Sequence, residues 1–547
     1  MTDTRTHATH TPWPVHKAYA MVAGRALHYQ RCGQGPAVVL LHDSPRSSRL
    51  HLDTMQALAP HFTVYALDTP GYGNSDPLGI ETPTMEDFGS ALRAALDHLG
   101  LTRAPLYATH TSAKIALAYA ADGCAAPLLV LDGLSMPETL ASADFIARYM
   151  RPFAPEPSGA YLASEWTRIR DMLRWFPWFS TDPTRRVPVD GPDGAWLLDY
   201  NIDLFSAGRH YADAYAAAMR YDPAPALARV SVPTHVAARQ DDVLHGFLPR
   251  AAACGNPLVR TTSLPADRAA WLGWLIDTLG AAATQTPMPA RKEDAARRYT
   301  SHAHGQIHWT LHGEGAPWLV LSAPTTLHAH PWAQSLPGLT LVPDLPGSGE
   351  SDPLPGEDMV QALVDGLEQL GVKRGRVLAC GLAAPLGARL ATLMPVERLV
   401  IDGLPPIDAD HVAAFADGLC PPPPFDDHSG SHLHRIWHML RDGEVQWPWH
   451  DTSARAIRRL PPQLDPDALH MALTAVLKQP ASWGDATLSA LALAPSVWSR
   501  VRTPVIAFTH PDPAYAPAPA LAGLCGATML PRPDTIAEAA SLLMEHA

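Results

Sequence analysis

Short, nearly pure apolar runs recur along the first half of the chain, each closed by small or polar turn residues. They are Ala37–Leu41 (AVVLL), Phe62–Leu67, Leu106–Ala108, Leu128–Leu131, Val232–Val236 and a run near Leu258–Leu264. Apolar runs of this length, bounded by turn signals, read as strands buried on both faces. Between them the period lengthens to that of a helix, over Ser48–Leu58, Met85–Leu99 and Arg268–Leu279, while residues 136–229 are largely helical and rich in aromatics. Strands alternating with helices predict an α/β fold, a mostly parallel sheet with helices on both faces.

One stretch, Leu106–Ala120 (LYATHTSAKIALAYA), joins strand, sharp small-residue turn and helix. That is the context of a nucleophile elbow, usually Gly-x-Ser-x-Gly. Thr109, His110, Thr111, Ser112 and Ala113 fall on those five places, so a threonine stands where the serine belongs.

The second half repeats the first. GQIHWTLHG at Gly305–Gly313 echoes Gly24–Gly33, and DLPGSGESDPL from Asp344 echoes the run from Asp68. Asp402-Gly403 follows Asp132-Gly133 by 270 residues, and Cys525-Gly526 echoes Cys254-Gly255. Agreement at one nearly constant offset is the mark of an internal duplication. The organisation expected is a disordered segment over 1–16, a first domain over 17–280 with a helical cap at about 136–229, and a linker at 281–296. A second domain over 297–547 follows, with a cap at about 405–500. The caps align without a gap, Gly159, Trp166 and Arg170 against Gly430, Trp437 and Arg441. Domains so related are expected to pack on each other as a pseudo-dimer.

Composition narrows the partners. The 547 residues carry a net charge of −13 with a pI near 6.1, which argues against nucleic acid and anionic membrane. Six scattered cysteines show neither metal-ligand spacing nor a disulfide framework, and the polar N-terminus has no signal-like apolar core. A cytoplasmic protein with a small-molecule substrate or ligand is expected, and no cofactor motif is read. No apolar stretch is long enough to cross a bilayer.

Taken together, His42-Asp43-Ser44-Pro45, the Asp-x-Pro-Gly-x-Gly-x-Ser-Asp run in both halves and the elbow resemble the α/β-hydrolase superfamily, twice over. The resemblance implies two α/β-hydrolase domains in tandem. It puts Thr111 at the nucleophile place, Asp242 at the acid, Asp132 at a second acid position, and the backbone N–H groups of Ser44 and Ser112 in the oxyanion hole. In the second half Leu382 takes the nucleophile place and Asp512 the acid. The usual histidine after the last strand is missing from both halves, where the chain reads Leu264-Pro265-Ala266-Asp267-Arg268 and Leu530-Pro531-Arg532-Pro533-Asp534. A hydroxyl nucleophile needs an adjacent base, for which His110, His210, His245 and Lys114 are the candidates.

Two classes of function follow. One is an enzyme acting on a small carbonyl compound, ester or thioester-like, with catalytic residues Thr111, Asp242, His110 and Asp132. His42, Ser44, Ser112, Trp166 and Arg170 would form its oxyanion and substrate contacts, and the second domain would be degenerate. The other is a pseudo-hydrolase that binds a small ligand between core and cap, or a non-hydrolytic, lyase-type member of the fold. No metal is assigned to either. His428, His432, His434 and His438 in the second cap carry metal-ligand residue types, two of them four apart on one helix face, against a background of histidine throughout the chain.

Overall fold

The computed structural model describes residues 12–187, 190–287, 295–354, 358–404, 418–511, 523 and 526–546. Asp512, Cys525, most of the N-terminal segment, part of the linker and residues 405–417 of the second cap lie outside them. The chain divides into two compact units: one running to Pro152 and resuming over Ser206–Ala295, the other made of Phe153–Phe205 with Ala296–Ala547.

The first unit holds an eight-stranded sheet of β1 (His16–Val22), β2 (Arg25–Gly33), β3 (Ala37–Leu41), β4 (Thr63–Leu67), β5 (Leu106–Thr109), β6 (Leu129–Asp132), β7 (Thr234–Arg239) and β8 (Val259–Leu264). Their order is β1-β2-β4-β3-β5-β6-β7-β8, with β2 antiparallel to β1 and β4 and every other pair parallel. Side chains alternate across a strand. Val38, Leu40, Val64, Ala66 and Val130 therefore share one core, closed by Met55, Leu58, Trp271 and Leu275 from the flanking helices.

The second unit repeats this with β9 (Arg297–His302), β10 (Gly305–His312), β11 (Pro317–Ala323), β12 (Leu339–Pro343), β13 (Gly375–Gly381), β14 (Val396–Asp402), β15 (Val505–Thr509) and β16 (Thr528–Pro531). From β9 its order is β9-β10-β12-β11-β13-β14-β15-β16, the same topology strand for strand. Two mostly parallel α/β sheets in tandem are the fold.

The repeated Asp-x-Pro-Gly-x-Gly run is a loop lock. Asp68 accepts backbone N–H groups from Ser48 (2.6 Å) and Asn74 (2.9 Å) and pairs with His28 Nδ1 at 2.7 Å. Asp344 does the same with Glu350 N–H and His308, each at 3.0 Å. Any Cβ on Gly73 or Gly349 would run into the carboxylate, and both glycines hold positive φ. The motif is thus met by backbone geometry in each unit.

The expected first cap is divided between the units. In the second, its helix Ala160–Met172 packs on the insert helix Ser431–Val445. Gly159 precedes one helix and Gly430 the other, with φ of 73° and 71°. A Cβ on Gly159 would lie 2.7 Å from the Trp437 ring, and one on Gly430 would lie 2.5 Å from the Trp166 ring. The contact is reciprocal: each helix start is seated under the other helix's tryptophan.

Candidate active site

The turn after β5 is tight. Its apex is His110, with φ 47° and ψ −107°, and the helix Thr111–Ala121 begins directly after it. A non-glycine residue held in that conformation is strained, and such strain collects at functional sites. The sequence expectation put Thr111 at the apex; the geometry puts His110 there. Thr111 is 5% exposed in the first helical turn. In the second unit the matching residue, at the end of β13, is Gly381, with φ 52°, and not Leu382, which is buried beside it.

His110 is held from two sides. Its backbone N–H donates to Asp132 O at 2.9 Å, and its ring Nε2 lies 2.8 Å from Asp242 Oδ2. The close approach depends on Gly133, where a Cβ would sit 2.5 Å from the His110 ring. Asp242 is fixed in turn by Leu244 N–H, 2.7 Å from Oδ1. Burial works against a proton on His110, but the hydrogen bond and charge of Asp242 outweigh it, with Asp43 and Asp132 adding, and raise its pKa to about 9. On Asp242 the His110 partner likewise outweighs burial and lowers the pKa. The pair is an imidazolium–carboxylate at neutral pH. Its imidazole side chain remains 35% exposed, open to a substrate.

Asp43 is the residue the sequence reading passed over. Its Oδ1 is buried without a hydrogen-bond partner among the described residues, and its charge acts on both His110 and Tyr215. Tyr215 is pushed up by burial and by Asp43, and its hydroxyl bonds Tyr149, against whose ring it lies edge-on at 5.9 Å. The available signal was an aspartate standing where the His-Gly-x-Pro pattern has glycine.

The other expected residues take supporting positions. His42 is fully buried; its Nε2 accepts Thr69 N–H at 2.9 Å, so its Nδ1 carries the proton given to Asp43 O at 2.7 Å. The Ser112 hydroxyl is buried and donates to His42 O. Ser44 flanks Asp43, half-buried. Asp132 is 7% exposed, its Oδ2 accepting Tyr107 O–H (2.8 Å) and Trp271 Nε1–H (3.0 Å), with burial raising its pKa. Lys114 is buried, not solvent-facing, and donates to Ala218 O at 2.8 Å and Tyr221 O at 3.2 Å; burial lowers it to about 8. His245 bonds Ser263 Oγ and His210 pairs with Asp213, so neither serves Thr111.

Trp166 and Arg170 belong to the second unit and are committed to helix packing there. Trp166 is 1% exposed, edge-on to His432 at 5.3 Å, and Arg170 donates to His428 O. Flat aromatic surface at helical spacing found a partner helix before it found a ligand. His432 is buried between Trp166 and Phe425, and burial lowers it to about 4. His434 and His438 instead stack on each other at 6.3 Å, so the four histidines do not converge.

In the second unit a cavity of about 130 Å3 opens over the Gly381 turn. Asp402, the counterpart of Asp132, accepts from Trp332 Nε1 (2.7 Å) and Arg532 Nε (2.7 Å) and pairs with His510 Nε2 at 3.0 Å. Burial raises its pKa, but these partners win and hold it well below the usual carboxylate range. Gly381 and Leu382 offer no nucleophile at this turn, and the Cys380 thiol before them is buried and pushed up by that burial.

Residues 38–295 match the model of the alpha/beta hydrolase family. Curated relatives include a pimeloyl-[acyl-carrier protein] methyl ester esterase of Vibrio campbellii, 45% identical over 49 residues, which are 9% of this chain and 19% of that protein. A soluble epoxide hydrolase of Corynebacterium sp. is 33% identical over 105 residues, 19% of this chain and 36% of that one. The chain thus spans well under half the length of these relatives. Among solved structures, the enol-lactonase from Burkholderia xenovorans LB400 covers 48% of this chain and 99% of its own, at 21% identity and a TM-score of 0.37. Among the described residues no helix is long and apolar enough to cross a membrane. The alpha/beta hydrolase family model thus matches the stretch that carries most of the first sheet, and the second unit repeats that sheet's strand order.

Proposed function

We propose that the first half is an enzyme acting on a small carbonyl substrate, ester or thioester-like, by acid–base chemistry in place of a hydroxyl nucleophile. The observation that carries this is the His110–Asp242 pair at the strained apex of the elbow. The imidazolium polarises the carbonyl and stabilises the oxyanion as it forms. The Asp43 carboxylate, whose Oδ1 has no hydrogen-bond partner among the described residues, takes a proton from water as the water oxygen bonds the carbonyl carbon. His110 then protonates the departing alkoxide or thiolate, and Asp43 returns its proton to His110. Ester-cleaving relatives support the substrate class. With Gly381 at its turn, the second half is catalytically degenerate on this reading.

A second reading, non-hydrolytic proton transfer, is favoured by the same unpartnered Asp43 oxygen, which would accept a proton from carbon α to the carbonyl. The internal duplication and a pairing of the two halves belong to this proposal, supported by the shared strand order and by the reciprocal Gly159–Trp437 and Gly430–Trp166 contacts. The free cysteines Cys32, Cys124, Cys254, Cys380 and Cys420 support a reducing, cytoplasmic setting.

The test is turnover of short-chain aryl esters and thioesters, beside deuterium exchange into small ketones followed by NMR. Hydrolysis lost in His110→Gln and kept in Thr111→Val supports the first reading, and exchange without hydrolysis supports the second. Hydrolysis that survives His110→Gln but not Thr111→Val overturns both and restores a threonine nucleophile.

A further inference from the structure

The second unit's cavity has features that a collapsed remnant of an active site would not keep. Its wall is aromatic and apolar, with Trp447, Trp449, Trp483, Met439, Leu440 and Leu460. Its floor is open, because a Cβ on Gly381 would meet nothing within 4 Å. Its buried charges are answered inside the protein: Asp402 by Arg532 and His510, and Glu444 by His328 (2.7 Å) and Arg458 (3.7 Å), while the other lining carboxylate, Asp534, is solvent-exposed. A ligand therefore meets no unbalanced buried charge, which favours a neutral molecule.

Polar atoms on the lining are there to meet it. Trp483 is 2% exposed, and its Nε1–H has no acceptor among the described residues. A buried donor left without a partner costs free energy that a bound acceptor recovers. Burial raises Glu444, but His328 and Arg458 outweigh it and hold it at about 2, so the carboxylate only accepts and His328 Nε2 carries the shared proton. The other ring nitrogen, Nδ1, is the remaining polar atom of a residue that lines the cavity. For size, an engineered apolar cavity of roughly 150 Å3 in another protein holds benzene, and this one is about 130 Å3.

We infer that the second half is a non-catalytic binding site for a neutral, single-ring aromatic molecule bearing a carbonyl or hydroxyl oxygen. The ring is sandwiched among Trp447, Trp449 and Trp483, and the oxygen accepts from Trp483 Nε1–H. This is independent of the chemistry proposed for His110.

Benzamide, with toluene and benzoate as controls, tests it by calorimetry and thermal shift on the full chain. Benzamide is expected to bind with a Kd of roughly 1 mM or tighter, and benzoate at least about tenfold more weakly. Trp483→Phe keeps the ring and removes the donor, so it weakens benzamide about fivefold and leaves toluene unchanged. Gly381→Leu grows a side chain into the floor and abolishes binding of both; the His110 turn shows that a side chain is tolerated at a similar positive φ. Should that variant misfold by circular dichroism, Trp483→Phe decides alone. No benzamide binding up to about 10 mM, benzoate binding as tightly as benzamide, or equal affinity in Trp483→Phe overturns the inference.

Discussion

His110 and Gly381 both take positive φ, 47° and 52°, each at the turn that leaves the fifth strand of its sheet for a helix. One carries a cationic ring against a carboxylate, and the other carries no side chain above an open cavity. Left-handed φ costs an L-residue roughly 1 kcal/mol, which glycine avoids. The second turn thus sits in its relaxed form, while the first is kept strained around an imidazole. The two halves share a strand order and differ at this turn in whether a side chain is present.

If that imidazole does the chemistry, the neighbouring hydroxyl is dispensable. His110→Gln is expected to lower kcat by about a hundredfold or more, the range of a positioned acid–base group. Thr111→Val should keep kcat within about threefold. Asp242→Asn preserves shape but removes the charge that holds the proton on His110, so its loss should resemble that of His110→Gln near pH 8 and shrink toward pH 6, where an unassisted imidazole stays protonated. Initial rates across that range measure it.

The same pair makes stability depend on pH. In the folded chain His110 titrates near 9, above its ordinary 6.5. A raised pKa means that the folded state binds the proton more tightly, so the stabilisation is complete below about pH 6.5 and is lost as pH rises through 9. The 35% exposure of the His110 side chain keeps the effect modest through solvent screening. Urea unfolding between pH 6 and 10 should show the first unit weakening over that window, and Asp242→Asn should flatten the slope. An unchanged slope in the variant would mean that another group titrates there.

The sheets were legible because buried parallel strands announce themselves as continuous apolar runs. The hairpin β1–β2 was less so, since half-buried strands such as His16–Val22 mix polar and apolar residues. The elbow was read one residue late. Small residues flank both Thr109 and Thr111, and without a central serine nothing in the pattern fixes which residue takes positive φ. Aligning His110 with Gly381, the glycine of Cys380-Gly381-Leu382, would have marked it, because a lone glycine at a strand end signals that conformation. Asp43 was missed for a different reason. Its value lies in a buried oxygen without a partner, and burial of one atom is a property of packing.

Asp402 anchors the floor of the second unit through Arg532, whose side chain is 5% exposed. Asp402→Asn keeps the shape but leaves that guanidinium buried without its anion, a loss of about 3–5 kcal/mol. Arg532→Met together with Asp402→Asn should recover part of it, because the stranded charge goes too. Denaturant unfolding of the three variants forms the double-mutant cycle, and ester turnover by the first half should stay at the wild-type level in all of them. Equal losses in the single and double variants would show that Asp402 acts through Trp332 or His510 instead.

The reciprocal seating of the insert helices admits a sharper test, because backbone and packing can be separated. Gly430 combines φ 71° with a Trp166 ring 2.5 Å from where a Cβ would stand. Gly371, in the same unit, has φ 85° and nothing within 4 Å. Alanine at Gly371 meets only the backbone penalty, roughly 1 kcal/mol. Alanine at Gly430 meets that penalty and an overpacked tryptophan besides, for a total of about 2–4 kcal/mol. Trp166→Leu removes the flat ring and should relieve part of the Gly430→Ala cost in the double variant, a coupling that neither single substitution predicts. Thermal unfolding reads all four proteins. If Gly430→Ala costs no more than Gly371→Ala, the glycine serves its own turn alone and the seating of the helix under Trp166 contributes nothing to stability.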